Sequence, residues 1–242
     1  MNAYRLVLPT TLGPTEVAEL CKAIQAASID EGARSITLVG SGHLFVGGLD
    51  LAALVGKDSP TVPAEQRAIL AEFGRLLLLL RSAPKPTVAL VDGAVLGSGT
   101  GLAAACDVVL CTERSSFAFP EIMLGCLPSL SLPFLRERVS EHYLRLWLMS
   151  GINRGPEAAL AAGLADEVVR GNALDREYGR WLRRLGRMPL RAVAELKREA
   201  LPALTRAVRE AEDAMVGSLA APEVRRAVLA FAQSGTVPWE EE

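Results

Sequence analysis

Histidine is nearly missing from this chain of 242 residues; His43 and His142 are its only two. They stand too far apart in sequence to suggest a metal site, and no metal is expected. Cysteine is scarce as well. Cys21, Cys106, Cys111 and Cys126 show none of the paired spacings of a zinc site, and the apolar neighbours of Cys106 and Cys111 mark them as small buried hydrophobes. Long hydrophobic runs are lacking. Leu76 to Leu80 is apolar but bounded by Arg75 and Arg81, far short of the roughly 20 residues that cross a bilayer. The N-terminus has no charged region leading into an apolar stretch, so neither a secretory signal nor a membrane is expected, and the location expected is cytoplasmic. An excess of one charge is also absent. Lys and Arg number 26 against 28 Asp and Glu, a net charge of -2, which argues against a nucleic-acid partner. There is no internal repeat and no low-complexity segment.

What the chain does have is apolar mass. Half of it is hydrophobic, enough for a sizeable core in one large domain or a domain with a small appendage. Its cations are mostly arginine, several of them between Arg180 and Arg191. That cluster reads either as a solvated helix face or as a docking patch for an acidic partner or a phosphate.

The pattern alternates strand and helix at first. Tyr4 to Leu8, Ser35 to Val39, Thr87 to Val91, Val108 to Cys111 and Ser116 to Phe119 read as strands. Thr15 to Ala27 and Glu65 to Arg81 read as helices, with Thr15 as N-cap of the first. Leu51 to Leu54 reads as a helical turn, and Gly101 to Cys106 as a helix. Asp58 to Pro63, with two prolines, reads as a mobile surface loop. Strands separated by helices imply an α/β fold with a partly parallel sheet. After Pro133 every segment reads as helix. A soft boundary near 170 to 190 separates a core, residues 1–185, from a helical C-terminal region, residues 186–242.

Two glycine-rich turns carry the chemistry. Gly47-Gly48 follows one strand, and Gly97-Ser98-Gly99-Thr100-Gly101 follows the run Lys85-Pro86-Thr87-Val88-Ala89-Leu90-Val91-Asp92-Gly93. Either turn alone is an ordinary strand-to-helix connection. Together, each can donate one backbone N–H to the same oxygen, at a helix N-terminus where the dipole favours negative charge. A single carboxylate, in Pro120-Glu121-Ile122, is placed to move a proton beside them. An apolar pocket would raise the pKa of Glu121 and suit it to that work; the alternative is a capping or ion-paired carboxylate.

These segments resemble the crotonase (enoyl-CoA hydratase/isomerase) superfamily. The resemblance runs through Phe45-Val46-Gly47-Gly48-Leu49-Asp50-Leu51, the Lys85–Gly93 run, Gly97 to Asp107, Pro120 to Pro128, and Ala158 to Val169. It implies a spiral of ββα turns with a helical C-terminal trimerisation region, and so a homotrimer or a dimer of trimers. It implies an oxyanion hole made by the N–H groups of Leu49 and Ser98, with Gly47, Gly48, Asp50, Gly97, Gly99 and Ser129 against the substrate. No cofactor is implied beyond the CoA or phosphopantetheine that carries the substrate as a thioester. Hydratases of this family have a first glutamate where this chain has Gly101 and a second where it has Glu121. Members with the second alone include isomerases that shuttle an α-proton to the γ-carbon. The family's first β-hairpin looks shortened here, and the cations usual before its C-terminal Pro-aromatic pair are absent from Ala232 to Trp239.

Gly99-Thr100-Gly101-Leu102-Ala103-Ala104-Ala105 and Pro128-Ser129-Leu130-Ser131-Leu132-Pro133-Phe134-Leu135 are similar in particular to the crotonase-type dehydratases of polyketide β-branching cassettes. Those enzymes act on 3-hydroxy-3-methylglutaryl groups carried on an acyl-carrier protein. The expectation is therefore a lyase that dehydrates a β-hydroxyacyl thioester, with an acyl-carrier protein or acyl-CoA as its partner. The alternatives are a Δ3,Δ2-enoyl-CoA isomerase and a non-catalytic binding subunit. Of the other polar residues, Asp50 is expected to tie down its loop and Asp107 to cap or bridge structure. Ser129 and Ser131 either meet a substrate oxygen or cap the helix before Pro133. Cys126 is expected to be a buried thiol, His43 a surface turn residue, and Phe119 and Trp239 packing residues.

Overall fold

A computed structural model describes residues 2–55 and 62–234. Most of the loop expected from Asp58, and the Pro238-Trp239 pair, lie outside the described residues. Helix α1 (Pro14–Ile29) joins strands β1 (Ala3–Val7) and β2 (Ser35–Val39). Strand β3 (Leu44–Val46) leads into α2 (Leu51–Leu54) and α3 (Ala64–Ser82). Strands β4 (Thr87–Val91) and β5 (Ala94–Leu96) lead into α4 (Ser98–Ala105). After β6 (Val108–Thr112) and β7 (Ser116–Ala118) come two 3-10 turns, Pro120–Leu124 and Ser129–Ser131. There follow α5 (Leu132–Arg136), α6 (Glu141–Ser150), α7 (Pro156–Ala162), β8 (Glu167–Val169), α8 (Leu174–Leu185), α9 (Leu190–Glu199), α10 (Leu201–Ala220) and α11 (Pro222–Ser234).

Two sheets result, ordered β1-β2-β4-β6-β8 and β3-β5-β7. Every strand pairing in them is parallel, where only a partly parallel sheet was expected. The pairs β2/β3, β4/β5 and β6/β7 each put one strand in each sheet, so the chain winds as a spiral of ββα turns. Parallel strands covered on both faces read as continuous apolar runs, and all residues of β4 and β6 are buried. Alternation still sorts them. Ala89 and Val91 join the main core, whereas Val88 and Leu90 pack with Val108, Leu110 and Tyr178 in a second cluster under α8.

The Lys85-Pro86 step proves structural. The Lys85 ammonium is buried and donates to the carbonyls of Ala27, at 2.7 Å, and of Asp30, which end α1. Asp107 bridges as expected. It accepts from the Thr87 N–H at 2.8 Å and from the buried Lys197 ammonium at 2.6 Å.

Four readings of the sequence need correction. Helix α1 begins at Pro14 behind Gly13, with no side-chain cap from Thr15, because proline at the first helical position is preset in φ and needs no N–H partner. Helix α4 begins at Ser98, three residues before the expected Gly101. β5 lies between the Lys85–Gly93 run and the glycine-rich turn, where no element was expected, and β8 in the region read as wholly helical. Both have three residues, too few to show a period of two.

Candidate functional site

Both glycine-rich turns and Glu121 line one cavity of about 280 Å³. Its walls come from five places: Thr11 after β1, the 47–52 segment, the α4 N-terminus, the turns on either side of Gly125, and the C-terminal helices through Met215, Val228, Phe231 and Ala232. Among the described residues the lining holds two carboxylates, Asp50 and Glu121, and no cation.

Leu49 and Ser98 both border the cavity, at the N-terminus of α4. Ser98 is the first residue of that helix, so its N–H has no intrahelical carbonyl to reach. Gly48 makes the approach possible. Its φ is +89°, and a Cβ built on it would lie 3.3 Å from the Ser98 nitrogen and 2.9 Å from the Leu96 carbonyl oxygen. The Leu49 N–H donates to the Ser98 hydroxyl at 2.6 Å. The Leu49 amide and the Ser98 side chain thus meet at the cavity wall.

Glu121 is 7% exposed, in the 3-10 turn after β7. Burial pushes its carboxyl up from the ordinary 4.5 to about 7, and its own backbone amide opposes this more weakly. Its Oε2 has no hydrogen-bond partner among the described residues, which removes the capping and ion-pair alternatives for that oxygen. An unpaired buried polar group costs roughly 1–3 kcal/mol. The carboxyl lies over Gly97, at φ +54°, where a Cβ would come within 2.9 Å of both its oxygens. A group of this kind exchanges a proton readily near neutrality.

The other candidates divide. Asp50 caps α2, its Oδ1 accepting from Ala53 N–H at 3.1 Å, so it ties down its loop while bordering the cavity. Gly47 borders it too, whereas Gly99 packs against Val46 and is not in its lining. Ser129 reaches the lining with a long 3.5 Å contact to the Leu127 carbonyl. Ser131 precedes α5 without capping it. Cys126 is buried against Met215, and its thiol, like the other three, is pushed up by burial, here to about 11. His43 is exposed, and Phe119 packs edge-on against Trp147. The arginine cluster lies away from the lining. Arg180 pairs with Glu177 at 2.7 Å, Arg191 with Glu195 at 2.9 Å, and Arg184 lies over Trp181. Sequence reasoning missed the four apolar residues from α10 and α11, Met215, Val228, Phe231 and Ala232, which nothing in their helical periodicity distinguishes from core positions.

Between residues 9 and 242 the chain matches the family model described as enoyl-CoA hydratase/isomerase. It belongs to that family. Among its relatives is a Thermus thermophilus protein assigned as an enoyl-CoA hydratase, 32% identical over 165 residues, 68% of this chain and 65% of that one. The mitochondrial enoyl-CoA hydratase domain-containing protein 3 of Rattus norvegicus is 28% identical over 213 residues, 86% of this chain and 70% of its own. The chain thus spans about two thirds of the length of these relatives. An enoyl-CoA hydratase from Bacillus halodurans has the same fold, with a TM-score of 0.87 at 23% identity, covering 94% of this chain and 96% of that one. So does a Bacillus subtilis protein assigned as a polyketide biosynthesis enoyl-CoA hydratase, with a TM-score of 0.86 at 19% identity over 98% and 95%. Among the described residues no helix is long and apolar enough to cross a membrane.

Proposed function

We propose that the chain is a lyase that dehydrates a β-hydroxyacyl thioester. The observation that carries the reading is a buried carboxyl, raised to about 7, in an apolar cavity that Leu49 and Ser98 also border. The carboxylate of Glu121 takes the α-proton, and the electron pair moves onto the thioester carbonyl oxygen. The Leu49 and Ser98 amides stabilise that enolate oxygen. As the electrons return, the bond from the β-carbon to oxygen breaks, and the proton on Glu121 joins the departing hydroxide as water. Glu121 ends as the carboxylate it began as, and the product is the enoyl thioester. With no second carboxylate at Gly101, one group handles both proton transfers.

The narrower form of this proposal is a 3-hydroxy-3-methylglutaryl group on an acyl-carrier protein. It rests on the sequence resemblance and on the name of the Bacillus subtilis protein. A trimeric or hexameric assembly rests on the same resemblance. The second reading, a double-bond isomerase on an acyl-CoA, is favoured by the same lone carboxyl. Incubating the protein with a 3-hydroxyacyl and a 3-enoyl thioester, each on CoA and on a carrier protein, separates the readings by mass spectrometry. Loss of one water is expected. Unchanged mass with a shifted double bond would establish the isomerase, and inertness towards all four substrates the binding subunit.

The Ser98 hydroxyl competes with the substrate for the Leu49 N–H. Ser98→Ala removes the competitor and keeps the amide. A net hydrogen bond of about 0.5–1.5 kcal/mol corresponds to roughly 2- to 12-fold tighter thioester binding, read by calorimetry. Weaker binding would show instead that the hydroxyl itself contacts the ligand.

A further inference from the structure

One buried oxygen of the cavity wall has no part in this mechanism. Ser131 is fully buried, and it lines the same cavity as Glu121. Its Oγ has no hydrogen-bond partner among the described residues, not even the backbone of the helix it precedes. Gly101 is what admits it. A Cβ at position 101 would lie 2.4 Å from Ser131 Oγ and 2.7 Å from Ser131 Cβ. Glu121 stands in the same relation to Gly97, four residues earlier. Gly97 precedes α4 and Gly101 lies in its first turn, so carboxyl and hydroxyl each pack against the start of that helix. Ser98 lies between them in sequence. The three residues from Ser98 to Gly101 rise about 4.5 Å, comparable to the reach from a thioester carbonyl oxygen to a substituent on the β-carbon.

We propose that Ser131 is a substrate-binding residue whose hydroxyl holds the β-oxygen of a 3-hydroxyacyl thioester and sets the leaving hydroxyl beside Glu121. This rests on the thioester reading and deepens it. A serine hydroxyl donates and accepts, as an alcohol ligand requires. A charged ligand group at this depth would find no cation in the described lining. The space that a larger residue 101 would fill is thus given to a neutral oxygen site.

The test compares two unreactive pantetheine amides, one with a 3-hydroxyacyl group and one with the plain acyl group of the same length, by calorimetry. Wild type is expected to favour the hydroxylated compound by at least about 5-fold, the smallest effect of leaving a buried partner unpaired. In Ser131→Ala that preference should fall to near unity, while the plain compound binds as before. The unfolding midpoint should hold or rise, because the variant removes a hydroxyl with no partner. Ser131→Cys, a weaker donor, should fall between and serves if the alanine variant is unstable. No preference in wild type, or one that survives in both variants, overturns the proposal and leaves the thioester reading standing. Failure of wild type to bind either amide overturns both.

Discussion

Glu121→Gln is expected to lower kcat/KM for the thioester substrate by about 10²- to 10⁴-fold, the usual contribution of a positioned acid–base group. Gln keeps the shape and loses the proton, so substrate binding should survive. In wild type, kcat/KM should rise with pH through about 7, as burial holds the carboxyl protonated below that value. Unfolding supplies a second readout. A carboxyl raised in the folded state contributes stability that is whole below its ordinary 4.5, declines as pH rises, and is gone above about 7. The Gln variant does not titrate. It should match wild type in acid and exceed it above about pH 7 by on the order of 3 kcal/mol, at about 1.4 kcal/mol per unit of pKa. Denaturant titrations on both sides of the interval check this. Near-normal turnover in the variant would remove Glu121 from the chemistry, and a pH-independent stability difference would remove the buried proton.

The second large effect is expected from Gly48→Ala. The new methyl group would stand 3.3 Å from the Ser98 nitrogen and 3.1 Å from its hydroxyl, against the proposed oxyanion donor. Loss of one oxyanion donor typically costs about 10²- to 10³-fold in kcat, and the same loss is expected here. The variant also forces alanine to φ +89°, at roughly 1–2 kcal/mol of stability. Gly42→Ala separates the two effects. Gly42 has φ +64°, nothing lies within 4 Å of its Cβ position, and it does not border the cavity. That variant carries the positive-φ cost without the 2.9 Å approach to the Leu96 carbonyl oxygen, so it should lose less stability than Gly48→Ala and keep its turnover. Equal activity losses in both would assign the effect to the backbone and remove the oxyanion site.

The parts of the site that could be read from the sequence were those marked by residue type. Gly47-Gly48 and the Gly97–Gly101 turn stand out because few positions tolerate consecutive glycines, and Glu121 because it is a lone carboxylate in apolar surroundings. The long strands β2 and β4 were legible from their apolar runs. The strands β5 and β8 were not, since three residues carry no periodicity and gain their pairing from neighbours distant in the chain. Ser131 was ambiguous between a cap and a ligand contact, because a serine before a helix has the same spelling in either role.

Local backbone requirements were the sequence's own to determine: glycine where φ is positive, proline at the start of α1, apolar runs where strands are covered twice. These follow from sterics and solvent transfer acting within a few residues. The tertiary structure decided the rest. It brought the Ser98 hydroxyl onto the Leu49 amide, set Ser131 where a side chain at position 101 would be, and closed the cavity over Glu121 with helices from the far end of the chain. Each of these depends on distances between segments, and on the low dielectric made when they meet, neither of which is encoded at any single position.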